Sequence, residues 1–237
     1  MKTFKESYLA SSIIHWMNYI SAVGRDYIID ESTIKIPACE YLEVTGLKPN
    51  LEFHHSKFKP VRRIDLQFNN TKNKIESAYE FKYVKKDSTR GKPERIRVFN
   101  DLMRLNLYCD STNKKGFFLI CGITDDFEVS FENLNLKPTF LTPKPKNSSK
   151  SKSFYSEWFS FDDKLPKKEI ALKTNDKSYE EIYQAFLNEY KTPYKEKTGN
   201  NLMLPDKIIT KLIFLSEVNS ATNIPQTFKI GIWEVLK

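Results

Sequence analysis

Two acidic side chains and a lysine are spaced along residues 62–84 so that they could act together. Asp65 lies in a first alternating segment, a polar turn over residues 69–76 follows, and Glu80 and Lys82 lie in a second alternating segment. Alternate residues of a strand project from one face about 6.5–7 Å apart, so Glu80 and Lys82 share a face. If the two segments form a hairpin, Asp65 comes to lie beside them.

Both segments have the period of two that is typical of half-buried strands. Their apolar and aromatic residues recur at every second position. The positions predicted to face one way are Ile64, Leu66 and Phe68 in the first segment and Tyr79, Phe81 and Tyr83 in the second.

Two carboxylates and an ammonium on one surface suit phosphodiester hydrolysis. Carboxylates are the ligands that Mg²⁺ prefers, and the ion keeps several waters when it is bound. The ion lowers the pKa of a bound water and offsets charge on a phosphate oxygen. A lysine beside it positions the water or stabilises the developing negative charge. Asp65, Glu80 and Lys82 are therefore predicted to be catalytic, with Asp65 and Glu80 binding Mg²⁺ or Mn²⁺.

The order of these residues resembles a known signature. Asp65 followed by Glu80-Phe81-Lys82 on the next strand is similar to the D…E-x-K motif of the PD-(D/E)XK, or restriction-endonuclease-like, nucleases, although Ile64 stands where the motif has proline. The resemblance implies a restriction-endonuclease-like α/β core, with a mixed sheet flanked by helices. It also implies that the Phe81 carbonyl is a further metal ligand. Residues 98–105, the apolar run after them and residues 230–235 resemble a little-characterised bacterial branch of that superfamily.

Charge and composition favour a polyanionic partner. The 237 residues include 38 Lys and Arg against 30 Asp and Glu, a formal charge of +8. Such a field attracts phosphate backbones, although a soluble protein that is merely basic would share it. With 7 glycines and no glycine-rich phosphate loop, nucleotide-binding folds of that kind are disfavoured. Nucleic acid is the predicted partner, and DNA is favoured over RNA.

The densest basic charge follows the Glu80-Lys82 segment. The turn over residues 85–93 is punctuated by Gly and Pro, and its charge continues into the next helix. It is predicted to hold a phosphate backbone, with a solvated charged loop as the alternative. A basic insertion over residues 137–153 is predicted to be flexible or to reach for nucleic acid. The predicted backbone-binding residues are Arg62, Arg63, Lys85, Lys86, Arg90 and Lys92.

Two accessory residues have two interpretations each. Thr3 and Glu6 fit a capping box for a first helix over residues 3–22, whereas the resemblance allows an acid on that helix to approach the metal. Arg104, one helix behind the second segment, either forms an ordinary surface pair with Asp101 or orients a catalytic carboxylate or a phosphate.

Other acids, histidines and cysteines are given structural roles. Glu31, Glu40 and Glu43 are predicted to be solvated, with an additional acid for the site as the alternative. His15 is predicted to pack in the core. His54 and His55 would point to opposite faces of a strand, so they cannot chelate one zinc ion together. Three cysteines without C-x-x-C spacing indicate reduced thiols.

The remaining pattern predicts one domain over residues 1–237. A helix over 93–108 followed by the apolar run 116–123 predicts a parallel crossover from the second segment. Further strands are predicted at 27–36, 51–55, 207–217 and 227–235, the last two as an antiparallel pair, and a capped helix at 178–190. Residues 154–161 are predicted to be a strand or an aromatic cluster.

No signal sequence or membrane span is evident, so a cytoplasmic location without membrane association is expected. A homodimer is left open. The alternatives to a nuclease are a non-catalytic nucleic-acid-binding module and a defence-related interaction protein.

Overall fold

One mixed β-sheet of seven strands organises the part of the chain that the computed structural model describes, namely residues 4–58, 62–85, 92–131, 155–172, 177–217 and 227–237. The strand order is β1-β2-β3-β4-β7-β6-β5. The strands are β1 Asn50–His54, β2 Arg63–Asn70, β3 Ile75–Val84, β4 Lys114–Ile123, β5 Lys167–Ala171, β6 Lys207–Glu217 and β7 Phe228–Leu236. The helices are α1 Glu6–Ala22, α2 Lys35–Val44, α3 Lys92–Tyr108, α4 Thr124–Phe131, α5 Tyr155–Trp158 and α6 Lys177–Thr198.

The centre of the sheet is a parallel pair connected by a helix. β3 and β4 run parallel with Glu80 opposite Phe118 and Lys82 opposite Ile120, and α3 connects them. β2–β3 and β6–β7 are antiparallel pairs. The predicted hairpin, crossover unit, mixed sheet and C-terminal strand pair are therefore confirmed.

Helices cover both faces of this sheet. On one face, α1 and α2 pack against side chains such as Tyr79 and Phe81 of β3. On the other face, α3, α5 and α6 pack against Ala78 of β3 and Phe118 of β4. β4 is buried along most of its length, as its uninterrupted apolar sequence predicts for a strand covered on both sides.

The strand predicted at residues 27–36 is wrong. A 3₁₀ turn occupies Asp26–Ile28, and α2 begins at Lys35. The Asp30 carboxylate accepts the N–H groups of Ser32 and Thr33, which bends the chain away from an extended path. Pro37 falls in the first turn of α2, where a missing N–H group breaks no helical hydrogen bond.

The predicted helix ends also need correction. α1 begins at Glu6, and its N-cap residue Lys5 makes no side-chain capping bond, so the capping box is wrong; Thr3 lies outside the described residues. α6 continues past the predicted end at residue 190, through Pro193 to Thr198, because Tyr194 still packs on the core.

The segments 137–153 and 86–91 lie outside the described residues, as does the side chain of Ser178, at the start of the helix predicted over 178–190. Residues 155–158 form the short helix α5 inside an aromatic cluster with Phe99, Phe159 and Trp233, so the aromatic alternative for 154–161 is the one observed. None of the described helices is long and apolar enough to cross a bilayer.

Candidate active site

A fork between β2 and β3 forms the centre of the candidate site. Their antiparallel register ends at Leu66 opposite Tyr79. Beyond that point the Phe81 N–H donates to Oδ2 of Asp65 at 2.8 Å, so a side-chain carboxylate takes the place of a backbone acceptor on β2. Asp65 is thereby held against the backbone between Glu80 and Lys82. The N–H and C=O of one strand residue point to the same edge, so the Phe81 carbonyl also faces the fork.

The regular alternation of side chains between the two faces of the sheet is interrupted in β2 at Asp65. Leu66 packs in the core on the α1 side, whereas Ile64 packs in the core on the α3 side. The prediction that Ile64 shares a face with Leu66 is therefore wrong. β2 has left its register with β3 at this point, and Glu52, which faces this stretch of β2 from β1, has a left-handed backbone with φ 49°.

Lys35, the first residue of α2, bridges two acids. Its Nζ lies 2.7 Å from Asp65 Oδ1 and 2.7 Å from Glu52 Oε1. Both Asp65 oxygens thus have donors, one from the β3 backbone and one from a lysine. Burial lowers the pKa of Lys35, but the two carboxylates together outweigh it, so the net shift is upward. Lys35 therefore remains a cation.

Glu80 forms the buried half of an ion-pair cluster with α3. Its Oε1 accepts from Nε of Arg104 at 3.2 Å and from Nη2 at 2.8 Å. Arg104 Nη2 also contacts Asp101 Oδ1 at 2.6 Å, and Nη1 donates to the Tyr190 hydroxyl at 3.1 Å. Of the two interpretations of Arg104, the structure supports the one in which it orients Glu80. The pair with Asp101 is present as well, but it is buried rather than on the surface.

Lys82 points to the same side of β3 as Glu80 but contacts different acids. Its Nζ lies 3.2 Å from Glu31 Oε2 and 3.4 Å from Asp101 Oδ2. Asp101 therefore connects the Lys82 ammonium with the Arg104 guanidinium. Burial lowers the pKa of Lys82, yet Asp101 and Glu31 outweigh it and the pKa rises above its ordinary value.

Among the described residues, the ion pairs at the fork contain more negative than positive charge. The ion pairs join five carboxylates with three cations; the acids are Glu31, Glu52, Asp65, Glu80 and Asp101, and the bases are Lys35, Lys82 and Arg104. Burial raises the pKa of Glu80, Arg104 lowers it, and the charges on Asp65 and Asp101 raise it again, so the net shift is upward. Burial also raises the pKa of Glu31. An additional cation would relieve this field.

The donor set is compatible with magnesium. Mg²⁺ is commonly held by one or two carboxylates and completes its shell with water and phosphate oxygens. Asp65, Glu80 and the Phe81 carbonyl supply that kind of set at the fork. In the ranges that the structure describes, no three Asp, Glu, His or Cys side chains converge on one metal position. A metal here would therefore depend on these two carboxylates, the carbonyl and water.

The predicted backbone-binding residues are placed unevenly. Arg62 pairs with Glu189 of α6 at 2.8 Å, and its guanidinium lies 4.8 Å from the centre of the Tyr190 ring. Arg63 is exposed at the start of β2. Lys85 is exposed at the end of β3, 5.4 Å from the Tyr83 ring. Lys86 and Arg90 lie outside the described residues, as does the side chain of Lys92.

Glu6 and His15 lie on α1, away from the fork, whereas His55 contacts the backbone of Arg104. The charge of Glu6 acts on the hydroxyls of Tyr41 and Tyr79, on the face of β3 opposite to Glu80. His55 is buried: its Nδ1 accepts the Lys57 N–H at 3.0 Å, so Nε2 carries the proton and donates to the Arg104 carbonyl at 2.9 Å. His15 is exposed, so its predicted core position is wrong; it falls on the outer face of α1.

Sequence reasoning missed three participants of the cluster. Lys35 lies in the segment that the sequence predicts to be a strand, so its position at the start of a helix has no sequence signal. Glu52 carries no signal in the alternating pattern, and Tyr190, at the end of the helix predicted over 178–190, carries no sign that its hydroxyl binds Arg104. Glu31 lies at the site, although solvated surface was the favoured expectation; its side chain is 42% exposed, which makes it the most open acid that contacts Lys82.

Comparisons of the chain with protein-family models, with curated proteins and with solved structures found no match.

Proposed function

We propose that the protein is a metal-dependent nuclease of the PD-(D/E)XK type that hydrolyses phosphodiester bonds, with DNA as the favoured substrate and internal cleavage as the favoured mode. The observation that carries the proposal is the 2.8 Å hydrogen bond from the Phe81 N–H to Asp65, which holds one carboxylate beside the Glu80-Phe81-Lys82 segment. A nearby excess of negative charge supports a divalent cation at this point.

Each residue of the fork has a distinct task in this proposal. Asp65, Glu80 and the Phe81 carbonyl hold Mg²⁺ or Mn²⁺, which when bound supplies an acidified water and offsets phosphate charge. Arg104 fixes the orientation of Glu80 from α3, which packs on that face of the sheet. Because its pKa is raised, Lys82 stays protonated at neutral pH, so it acts as a cation that orients the water or stabilises developing charge rather than as a base.

Basic side chains around the fork would position the polynucleotide. Arg62, Arg63 and Lys85 lie at the ends of β2 and β3 that border the site. Arg62 exchanges its partner Glu189 for a phosphate in this proposal, since Glu189 is a partly exposed acid and bidentate pairing with phosphate is favourable for arginine. Lys86, Arg90 and Lys92 belong to the same basic stretch of sequence.

A non-catalytic nucleic-acid-binding protein is the second candidate. The observation that favours it is that Asp65, Glu80 and Lys82 each already have ion-pair partners in the fold. In such a protein these residues would stabilise the fold, and the basic surface alone would bind nucleic acid. Binding would then fall steeply with salt and need no metal.

Cleavage of single- and double-stranded DNA and RNA, with Mg²⁺, with Mn²⁺ and with chelator, tests the proposal. Asp65→Asn and Lys82→Met should abolish a metal-dependent cleavage that the parent protein shows. Lys115→Met is the matched control, because Lys115 forms an ion pair with Glu234 at 3.2 Å on β4 and β7, away from the fork. Circular dichroism spectra confirm that each variant is folded.

Two results would reject catalysis at this site. One is the absence of metal-dependent cleavage of every substrate, and the other is cleavage that survives in Asp65→Asn and Lys82→Met. Salt-sensitive binding of nucleic acid that persists in chelator, together with no cleavage, would favour the binding protein. Cleavage of linear but not of closed circular DNA would show an exonuclease instead of an endonuclease.

A further inference from the structure

Lys35 lies where a cation bound to Asp65 would lie. Its Nζ is 2.7 Å from Asp65 Oδ1, while the other oxygen of that carboxylate is bound to the β3 backbone. Oδ1 is therefore the Asp65 oxygen that a metal ion would need. An ammonium 2.7 Å from Oδ1 occupies one lone-pair direction of that oxygen and repels a divalent cation, so Lys35 opposes metal binding for as long as it keeps this contact.

The position of Lys35 on α2 is explained by the acids and not by the helix. Lys35 is the first residue of a ten-residue helix whose first turn contains no acid. A positive charge at a helix N-terminus is opposed by the helix dipole. The side chain is nevertheless only 11% exposed and is directed between Asp65 and Glu52. The attraction of Lys35 to these two carboxylates must therefore outweigh both the unfavourable helix dipole and the cost of burying the ammonium.

Glu52 offers the Lys35 ammonium a second acceptor, which is more exposed to solvent than Asp65. The side chain of Asp65 is 15% exposed and that of Glu52 is 49% exposed, and each lies 2.7 Å from Nζ. Lys35 can therefore give up its inner partner and keep its outer one with little movement. The outer contact also retains solvent access, which reduces the cost of such an exchange.

The backbone of Glu52 is held in an unusual conformation. Its φ of 49° lies in the left-handed region, which is unfavourable for a residue with a side chain. Glu52 lies within β1, between the register pairs Leu51–Leu66 and Phe53–Ile64, and so faces Asp65 across the strands. The strand thus departs from regular geometry at the residue that binds Lys35. Such departures are commonly kept at functional positions.

We propose that Lys35 is a resident counter-ion of Asp65 that a divalent cation displaces toward Glu52, so that Lys35 and Glu52 together set the metal affinity of the fork. This inference rests on the metal site of the proposed function but not on its catalysis. In the metal-free protein Lys35 holds the Asp65 carboxylate ready in the fork. In the metal-bound protein the ammonium remains paired with Glu52, which keeps its charge compensated.

Mn²⁺ binding, measured by isothermal titration calorimetry in the absence of nucleic acid, tests this exchange. Lys35→Met should bind Mn²⁺ roughly ten- to hundredfold more tightly than the parent, the factor that corresponds to one charge-assisted hydrogen bond. Glu52→Gln should bind it about threefold to tenfold more weakly, because the second acceptor of Lys35 is then a neutral amide oxygen instead of a carboxylate. Opposite shifts in the two variants are the expected signature.

Lys82→Met is the charge-matched control. It removes one positive charge from the same cluster without touching Asp65. If only the overall charge matters, Lys35→Met and Lys82→Met will tighten Mn²⁺ binding equally, and that result overturns the exchange. A clearly larger effect in Lys35→Met supports it.

The remaining outcomes also decide the question. Unchanged or weaker Mn²⁺ binding in Lys35→Met overturns the proposal, as does unchanged or tighter binding in Glu52→Gln. If Lys35→Met does not fold, Glu52→Gln decides alone by the same criterion. If the protein binds Mn²⁺ with the expected shifts but cleaves no nucleic acid, the exchange stands and the proposed function fails. If the protein cleaves nucleic acid but the variants bind Mn²⁺ as the parent does, the proposed function stands and the exchange fails.

Discussion

Arg104→Met should lower the free energy of unfolding more than most single substitutions in α3. Arg104 is a cation whose side chain is 15% exposed, with bonds to Glu80, Asp101 and Tyr190. Its removal leaves two buried carboxylates without their shared counter-ion. Breaking a buried ion pair on one side typically costs about 3–5 kcal/mol, because the remaining charge is desolvated and uncompensated. Against a usual total stability of about 5–15 kcal/mol, this variant should be folded but weakened.

The matched control is Arg97→Met on the same helix. Arg97 is 69% exposed, and its Nη1 contacts Glu94 at 3.4 Å. Exposed pairs of this kind contribute about 0–1 kcal/mol. Urea unfolding followed by circular dichroism gives the free energy of unfolding of the parent and both variants. Arg104→Met should lose at least about 2 kcal/mol more than Arg97→Met.

The loss in Arg104→Met should depend on pH. Without Arg104, the pKa of Glu80 rises further above its ordinary value, because the largest influence that lowers it has gone. A raised carboxyl pKa stabilises the fold below the unfolded pKa and loses that stabilisation as pH rises. The deficit should therefore be larger at pH 7 than at pH 4.5, the ordinary value for Glu. Equal losses in the two arginine variants, or a deficit that grows toward acid pH, would refute this account of the cluster.

Three further predictions concern stability. Between pH 4.5 and pH 7, Glu80→Gln should lose less unfolding free energy than the parent, since burial raises the Glu80 pKa and glutamine does not titrate; an equal or larger loss in Glu80→Gln would contradict the direction of that shift. Burial lowers the pKa of His55 to about 4, so this histidine should contribute a loss of about 3 kcal/mol to the parent between pH 6.5 and 4, as the unfolded state takes up the proton. His55→Gln lacks this contribution, so its urea midpoint should fall less toward acid pH than that of the parent. An unaltered profile would exclude His55 as the cause. Gly122→Ala should cost about 1–3 kcal/mol in thermal unfolding, because a Cβ there would lie 2.7 Å from the Val84 carbonyl; a neutral substitution would show that β3 and β4 can separate locally.

The stability of the fork and its chemistry oppose each other. Glu80 is disfavoured as an anion where it lies, yet the proposed function requires it to be one. Arg104 compensates for part of the cost, and a divalent cation would compensate for more. In a site of this kind, buried negative charge destabilises the free protein, and binding of a cation compensates for that charge.

Local periodicity determined the elements that carry the fork. The alternation around Asp65 and Glu80 is sufficient to predict two strands, because adjacent strand residues must point to opposite faces. The apolar run over β4, preceded by an amphipathic helix, is sufficient to predict the parallel crossover. The same rule placed Glu80 and Lys82 on one face, and both do point toward α3.

The partners of these residues were decided by tertiary structure. Lys35 is 30 residues from Asp65 in sequence, and Glu31 is 51 residues from Lys82. No spacing rule connects such pairs, since they meet only after α2 packs on the sheet and burial makes each charge require a counter-ion. The direction of Ile64 likewise depends on β2 leaving β3 at Asp65. Periodicity in the sequence therefore predicts which faces carry charge, whereas the packing of the helices on the sheet selects which charges meet, because desolvation and long-range contacts have no periodic signature.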